Sequence, residues 1–279
     1  MFILKDSEIN AYNNLSVKPN RFPDGTLALG SLYNGYDEIM WLYDGDEELF
    51  TLMCLRQHTK KKNIKLILPY IPHARMDRTE DGEVFTLKTF CSAINSMNFD
   101  RVVVADPHSN VSVALLDRVK VIKPINYIQE TIRKITREDR EILINFYPDE
   151  GAMKRYSKMF PYQPYAYGNK DRDWKTGKIN GLSIINSEMV KERNVLIVDD
   201  ICSRGGTFYH SAKALKAAGA KEIYLYITHC EDTMLEGEMY NEGLVKKIFT
   251  TDSLLKIHDD DKVKTIYSFA KEFMNGKVF

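Results

Sequence analysis

Two aspartates, then two glycines and a threonine, follow an apolar run in Val195-Leu-Ile-Val-Asp-Asp-Ile-Cys-Ser-Arg-Gly-Gly-Thr207. The next stretch, Phe208 to Gly219, has helical spacing and ends on glycine. The pattern predicts strand, anion loop, helix. Backbone amides at a helix N-terminus carry partial positive charge and point at a bound anion, so the loop suits a phosphate. The paired Gly205 and Gly206 let the backbone approach closely and adopt positive φ. Asp199 and Asp200 sit at the strand exit, where carboxylates accept hydrogen bonds from vicinal hydroxyls. A phosphate seat beside a diol reader describes a ribose 5-phosphate site, with Asp199, Asp200, Ser203, Arg204, Gly205, Gly206 and Thr207 as its residues. No Gly-Lys-Ser/Thr follows, so this is not a Walker A loop.

The elements that must position this loop are strands alternating with amphipathic helices. Strands are expected at Ile64–Leu68, Arg101–Asp106, Glu141–Tyr147, Val195–Val198 and Glu222–Thr228. Helices are expected over 47–58, 86–97 and 208–219, with a further one near 126–137. Strands separated by helix-length segments imply βαβ units and parallel sheets covered on both faces. The fold class is therefore α/β, organised as two units, 1–145 and 146–279, each a mainly parallel sheet flanked by helices. In such sheets ligands collect at the carboxyl ends of strands. Four further segments carry chemistry: Arg21-Phe-Pro-Asp-Gly25, Pro69-Tyr-Ile-Pro-His-Ala-Arg-Met-Asp-Arg78, Asp106-Pro-His108 and Pro148-Asp-Glu-Gly151. The polar stretch from Tyr167 to Lys178, which includes Lys170-Asp-Arg172, is expected to be a mobile loop able to act as a lid.

The bulk composition narrows the class. The chain has 279 residues, 44% hydrophobic and 28% charged, with zero formal net charge. No global basic field recruits nucleic acid. Lys60-Lys61-Lys62 is expected to be a solvated helix end. The four cysteines, Cys54, Cys91, Cys202 and Cys230, show no CxxC or metal spacing, so reduced thiols in a cytoplasmic protein are expected. Cys202 lies in the anion loop, where a bystander role is expected. No apolar run approaches membrane length and no N-terminal signal pattern appears, so no membrane partner is expected.

The 199–207 loop resembles the phosphoribosyl-diphosphate motif shared by type I phosphoribosyltransferases and ribose-phosphate diphosphokinases. The order of all the segments is similar to the ribose-phosphate diphosphokinase family. That family carries Phe-Ser/Pro-Asp-Gly, Pro-Tyr-x-x-Tyr-Ala-Arg-Gln-Asp, Asp-Leu-His, Pro-Asp-x-Gly, a flexible Lys-x-Arg loop and Asp-Asp…Gly-Gly-Thr. The resemblance covers about residues 20–230 and implies two phosphoribosyltransferase-like units. It also implies a reaction: the anomeric hydroxyl of ribose 5-phosphate attacks the β-phosphorus of ATP, diphosphate is transferred and AMP leaves. Lys170 and Arg172 then match the mobile pair that closes over the transferring group. Phe22, Asp24, Arg75, Asp77 and His108 match ATP-binding positions, and Phe22 and Asp24 match the family's segment that reaches ATP on a neighbouring subunit, which implies a homo-oligomer. His108 and Asp149 match the metal positions, with Mg²⁺ as the cofactor.

Three departures qualify the match. Few residues precede Arg21, where the family has a longer opening strand and helix, so a trimmed first unit is expected. Thr26 stands where the family has Glu. Ser203-Arg204 replaces Asp-Thr, making the loop more positive. An arginine reads phosphate by bidentate hydrogen bonds, so a 5-substituted ribose such as ADP-ribose, as in NAD salvage, is an alternative acceptor. The other reading is that Arg204 points to solvent or to a local acid. A phosphoribosyltransferase and a non-catalytic regulatory homologue complete the alternatives. The segments between 69 and 108 disfavour the transferase, which needs no ATP half.

Overall fold

The computed structural model describes residues 1–8, 15–172, 179–256, 261–276 and 279. Contacts divide the chain into two compact units, Met1–Lys123 with Ser268–Phe279, and Pro124–Tyr267.

The first unit opens with β1 (Phe2–Lys5), β2 (Leu15–Val17), β3 (Asn20–Arg21), β4 (Leu27–Ala28) and β5 (Glu38–Trp41). Then come α1 (Glu48–His58), β6 (Lys65–Leu68), α2 (Thr86–Ser96), β7 (Arg101–Ala105), α3 (Asn110–Leu115) and β8 (Val119–Ile122). Its sheet has the order β2-β1-β5-β6-β7-β8. β5 through β8 are parallel, and β1 runs antiparallel to both its neighbours. Leu52 and Leu55 of α1 and Leu87, Phe90 and Ile94 of α2 bury against Leu66, Leu68, Val102 and Val104. Burial of such side chains is the main term holding a helix to a sheet, at about 25 cal/mol per Å² of apolar area.

The second unit holds α4 (Ile125–Asp139), β9 (Leu143–Tyr147), α5 (Glu150–Tyr156), β10 (Tyr165–Arg172), β11 (Ile179–Ile185) and β12 (Asn194–Cys202). It continues with α6 (Gly206–Ala217), β13 (Ile223–Cys230), a 3₁₀ turn at Asp232–Glu236, α7 (Glu238–Asn241), β14 (Lys247–Thr251) and β15 (Val263–Tyr267). The sheet order is β11-β10-β9-β12-β13-β14-β15, parallel except for the β10–β11 hairpin. The central strands β12 and β13 are apolar on both faces, as a sheet covered on both sides requires. Phe208, Ala212 and Leu215 of α6 pack with Val195, Ile197, Leu225 and Ile227.

The boundary falls at Lys123/Pro124, ahead of the expected 145/146, because α4 packs on β9 and β15 of the second sheet. The chain end also departs from a simple two-halves division. α8 (Phe269–Met274) belongs to the first unit, where Phe269, Phe273 and Phe279 are buried and Lys5 lies over the Phe273 ring at 5.3 Å. The stretch expected to be an irregular loop is instead partly strand. Residues 167–172 continue β10, paired with Ile185 back to Ile179 with a register shift between Asp171 and Arg172, and 173–178 lie outside the described residues. Alternating Tyr165, Tyr167 and the apolar Leu182, Ile184 and Ile185 supply the pairing that polar composition hid. Among the described residues no helix is long and apolar enough to cross a membrane.

Candidate active site

β12 delivers both acids at its carboxyl end, with Asp199 half-buried and Asp200 buried. Arg155, near the end of α5, reaches Asp200 with Nη1–Oδ2 at 3.0 Å. Its guanidinium also lies over the Tyr156 ring at 5.5 Å. The Asp200 amide donates to Asp199 Oδ1 at 3.0 Å. Burial, reinforced by the neighbouring Asp200 and Asp149, pushes the Asp199 carboxyl well above the usual carboxylate range. The pair is thus asymmetric: Asp200 has a cation beside it, whereas Asp199 sits among carboxylates.

After Cys202 the chain turns through Ser203 and Arg204 to Gly205, whose φ of +80° favours glycine. Tyr209 N donates to Gly205 O at 2.8 Å, so the amides of Gly206, Thr207 and Phe208 precede the first bond of the α6 ladder. Amides in that position are able to bind an anion, the role expected from the sequence. The segment after β13 braces the loop from behind. Glu231 N donates to Cys202 O at 2.8 Å. Ser203 Oγ lies 3.3 Å from Thr233 Oγ1, and Thr233 Oγ1 donates to Glu231 Oε2 at 3.2 Å. Gly237 approaches the loop so closely that a Cβ there would sit 1.9 Å from the Arg204 carbonyl oxygen. Arg204 itself is exposed and faces Glu236 at 3.9 Å, the local acid.

Asp149 leaves β9 and caps α5, accepting from the Ala152 amide at 3.0 Å. Its charge is felt at Asp199, so Asp149 and the loop acids share one electrostatic site. Lys170 and Arg172 fall on the backbone of β10, and their side chains lie outside the described residues. Cys202 pairs in register with Cys230 of β13, and both are buried. The hydrogen bond to Cys230, with burial, pushes the Cys202 thiol well up, which suits a bystander.

The remaining candidates belong to the first unit and are described within it. β3 and β4 form a small hairpin whose tip carries Phe22, 58% exposed, and Asp24. Asp24 accepts from Thr26 N at 2.9 Å and Thr26 Oγ1 at 2.7 Å, which holds its carboxyl below its ordinary value. Thr26 therefore orders the turn where an acid was expected. In the loop after β6, Arg75 is exposed and Asp77 is half-buried with Arg78 at 3.9 Å. Ile71 and Ala74 are buried and anchor that loop. Asp106 is buried at φ 39°, and half-buried His108 follows it just before α3.

Comparison with known proteins gives consistent matches. The phosphoribosyl transferase domain model matches residues 161–264, which include the loop. The ribose-phosphate pyrophosphokinase of Saccharolobus solfataricus is 28% identical, over 91% of this chain and 90% of that protein. That of Thermococcus kodakarensis is 29% identical, over 84% and 81%. The crystal structure of phosphoribosylpyrophosphate synthetase from Mycobacterium smegmatis shares the fold across 93% of this chain and 88% of its own, with TM-score 0.71 and 19% identity. The chain is similar to ribose-phosphate pyrophosphokinases over most of its length. In its loop, Ser203 and Arg204 are met by Thr233 and Glu236. Sequence reasoning missed Arg155, Glu231, Thr233 and Gly237. Arg155 lies in a short helix after a candidate segment, and a basic residue there reads equally as a dipole partner of the helix end.

Proposed function

We propose that this chain transfers diphosphate from ATP to the anomeric hydroxyl of ribose 5-phosphate, giving phosphoribosyl diphosphate and AMP for nucleotide biosynthesis. The observation that carries the reading is the β12–loop–α6 unit. It places Asp199 and Asp200 immediately ahead of the positive-φ turn at Gly205 and the amides that open α6. The relatives named ribose-phosphate pyrophosphokinase support it across both units, whereas a transferase alone would account for the second unit only. The amides of Gly206 and Thr207 seat the 5-phosphate, and Asp199 and Asp200 accept from the ribose hydroxyls. The anomeric oxygen forms its bond to the β-phosphorus as the bond from that phosphorus to the α,β-bridging oxygen breaks, and the hydroxyl proton is released to water. Lys170 and Arg172 are assigned to the charge that develops on the transferring group. Phe22, Asp24, Arg75, Asp77 and His108 are assigned to ATP, with Phe22 and Asp24 serving a neighbouring copy in a homo-oligomer.

Mg²⁺ fits the donor set. It binds through one or two carboxylates plus phosphate oxygens and keeps several waters. Among the described residues no group of three or more His, Cys, Asp or Glu side chains forms a metal cage, while Asp200 and Asp149 both act electrostatically on Asp199. Within the second unit Asp149 would hold the ion, which would supply neutralisation of the diphosphate charge.

The loop supports ribose 5-phosphate over a 5-diphosphate acceptor, because Glu236 faces the extra guanidinium of Arg204. The test is AMP formation from ATP and Mg²⁺ with ribose 5-phosphate or ADP-ribose. Turnover with ribose 5-phosphate is expected to exceed that with ADP-ribose. Preference for ADP-ribose would reverse the acceptor, and AMP formation with neither would overturn the activity.

A further inference from the structure

The Ser203–Thr233–Glu231 chain fixes the direction of its own hydrogen bonds. A carboxylate accepts only, so the Thr233 proton goes to Glu231 Oε2 at 3.2 Å. A hydroxyl has one proton, and Thr233 has then none for Ser203. The 3.3 Å approach of Ser203 Oγ to Thr233 Oγ1 is satisfied when Ser203 donates. We propose that Ser203 thereby serves the loop as a hydrogen-bond acceptor for a ligand hydroxyl, its proton being drawn away from the site by Thr233 and Glu231. This rests on the ribose 5-phosphate reading of the same loop.

A serine in an anion loop ordinarily donates to phosphate. Here the donor is committed elsewhere, and the lone pairs of a half-buried oxygen remain for the ligand. The geometry is braced at both ends. Glu231 N holds Cys202 O at 2.8 Å, Met234 N holds Glu231 O at 3.1 Å, and Gly237 N holds Met234 O at 3.1 Å. Gly237 in turn abuts the Arg204 carbonyl. The Ser203 hydroxyl therefore has little freedom to exchange partners. Chemically the loop regains an acceptor where Ser203 stands in place of aspartate, while the formal negative charge sits one side chain further back, on Glu231. The ligand group that meets Ser203 is a hydroxyl donor, either a sugar hydroxyl or the P–OH of a singly ionised phosphate monoester. Thr233 and Glu231 are positioning residues that act through Ser203.

The test uses the full chain, with calorimetric binding of ribose 5-phosphate and ribose 5-sulfate beside steady-state kinetics. Thr233→Val keeps the shape and removes the hydroxyl. It is expected to weaken ribose 5-phosphate binding and raise KM about five- to tenfold, the size of one neutral hydrogen bond, with a smaller change in kcat. Thr233→Ser keeps the hydroxyl and should restore binding. Ser203→Ala should match Thr233→Val, and the double variant should be no worse than either. A phosphate monoester can carry a proton near neutral pH and a sulfate monoester cannot. If the donor is P–OH, Thr233→Val narrows the preference for phosphate over sulfate. If it is a sugar hydroxyl, both esters weaken equally. Binding by Thr233→Val as tight as wild type, or no recovery in Thr233→Ser, would overturn the proposal. A wild-type chain that binds neither ester would instead overturn the ribose 5-phosphate reading.

Discussion

Arg155→Met is the most informative single change, because Arg155 supports a buried acid without being one of the sequence-derived site residues. The Asp200 side chain is 4% exposed and that of Arg155 is 25% exposed, at a separation of 3.0 Å. Two unit charges at 4 Å interact by about 4 kcal/mol when the effective dielectric is roughly 20. Removing one partner of a fully buried pair costs about 3–5 kcal/mol. Arg155 keeps a quarter of its surface in water, so the expected loss is about 2–3 kcal/mol, below that range. For a unit of this size each kcal/mol moves Tm by about 2–4 °C, so the transition of the second unit should fall by about 5–10 °C. The chemical consequence is separate. Without the guanidinium, Asp200 loses the cation that holds its carboxylate in place beside Asp199, and its grip on a diol hydroxyl weakens. The KM for ribose 5-phosphate should rise about tenfold or more, in line with loss of a hydrogen bond to a charged group. Differential scanning calorimetry and steady-state kinetics measure the two effects, and Arg155→Lys, which keeps the charge, should recover most of the stability. Unchanged Tm and KM in Arg155→Met would show that the Asp200 carboxylate does not depend on this cation, and the account of the acidic pair would fail.

Lys170→Ala and Arg172→Ala should each lower turnover by at least about 100-fold, as expected for a donor to developing charge, with Tm nearly unchanged; near-normal turnover in both would remove them from the chemistry. His108→Ala and Asp149→Ala should raise the Mg²⁺ concentration needed for half-maximal rate, and full activity in excess chelator would refute the metal assignment. Asp149→Ala should also lose about 1 kcal/mol of stability as a helix cap, readable by urea unfolding. Phe22→Asp should dissociate the expected oligomer in light scattering and lower activity at low enzyme concentration; an active monomeric wild type would refute the shared site. Asp199 makes the ligand-free protein pH-sensitive in a stated direction. Its folded-state pKa is raised, so between its ordinary value of 3.8 and that raised value the folded chain binds more protons than the unfolded one. Stability should therefore fall as pH rises through that window and recover as it is lowered, with the dependence reduced in Asp199→Asn. An identical pH profile in the variant would contradict the raised value.

What was legible follows from which residues act locally. The core strands β6, β7, β9, β12 and β13 read directly as short apolar runs because both their faces are covered. β5 did not, since it opens on buried Glu38, which Lys5 and Lys65 each bind at 2.9 Å from neighbouring strands. A charge buried by partners distant in sequence looks, in a sequence, like the end of an element. β14 escaped for a related reason: its Thr250 and Thr251 are buried, with Thr251 Oγ1 donating to Thr228 O at 2.7 Å.

The same distinction divides the site. The Asp-Asp…Gly-Gly-Thr loop was legible because its chemistry is written in backbone conformation and adjacent residues. Gly205 must take positive φ, and the acids must close the strand. The parts that tune it were hidden because each acts across the fold. Arg155 of α5 neutralises an acid on β12, Gly237 earns its place by what a side chain would strike, and Thr233 matters only through the two groups it joins. The loop's two departures show the limit most clearly. Read in sequence, Ser203-Arg204 adds positive charge and suggests a larger anionic acceptor. In the fold each substitution meets a carboxylate on the segment after β13, Ser203 through Thr233 to Glu231 and Arg204 to Glu236. The charge lost from the loop is present a few ångströms behind it, so the composition of the loop alone is the wrong unit for judging what it binds.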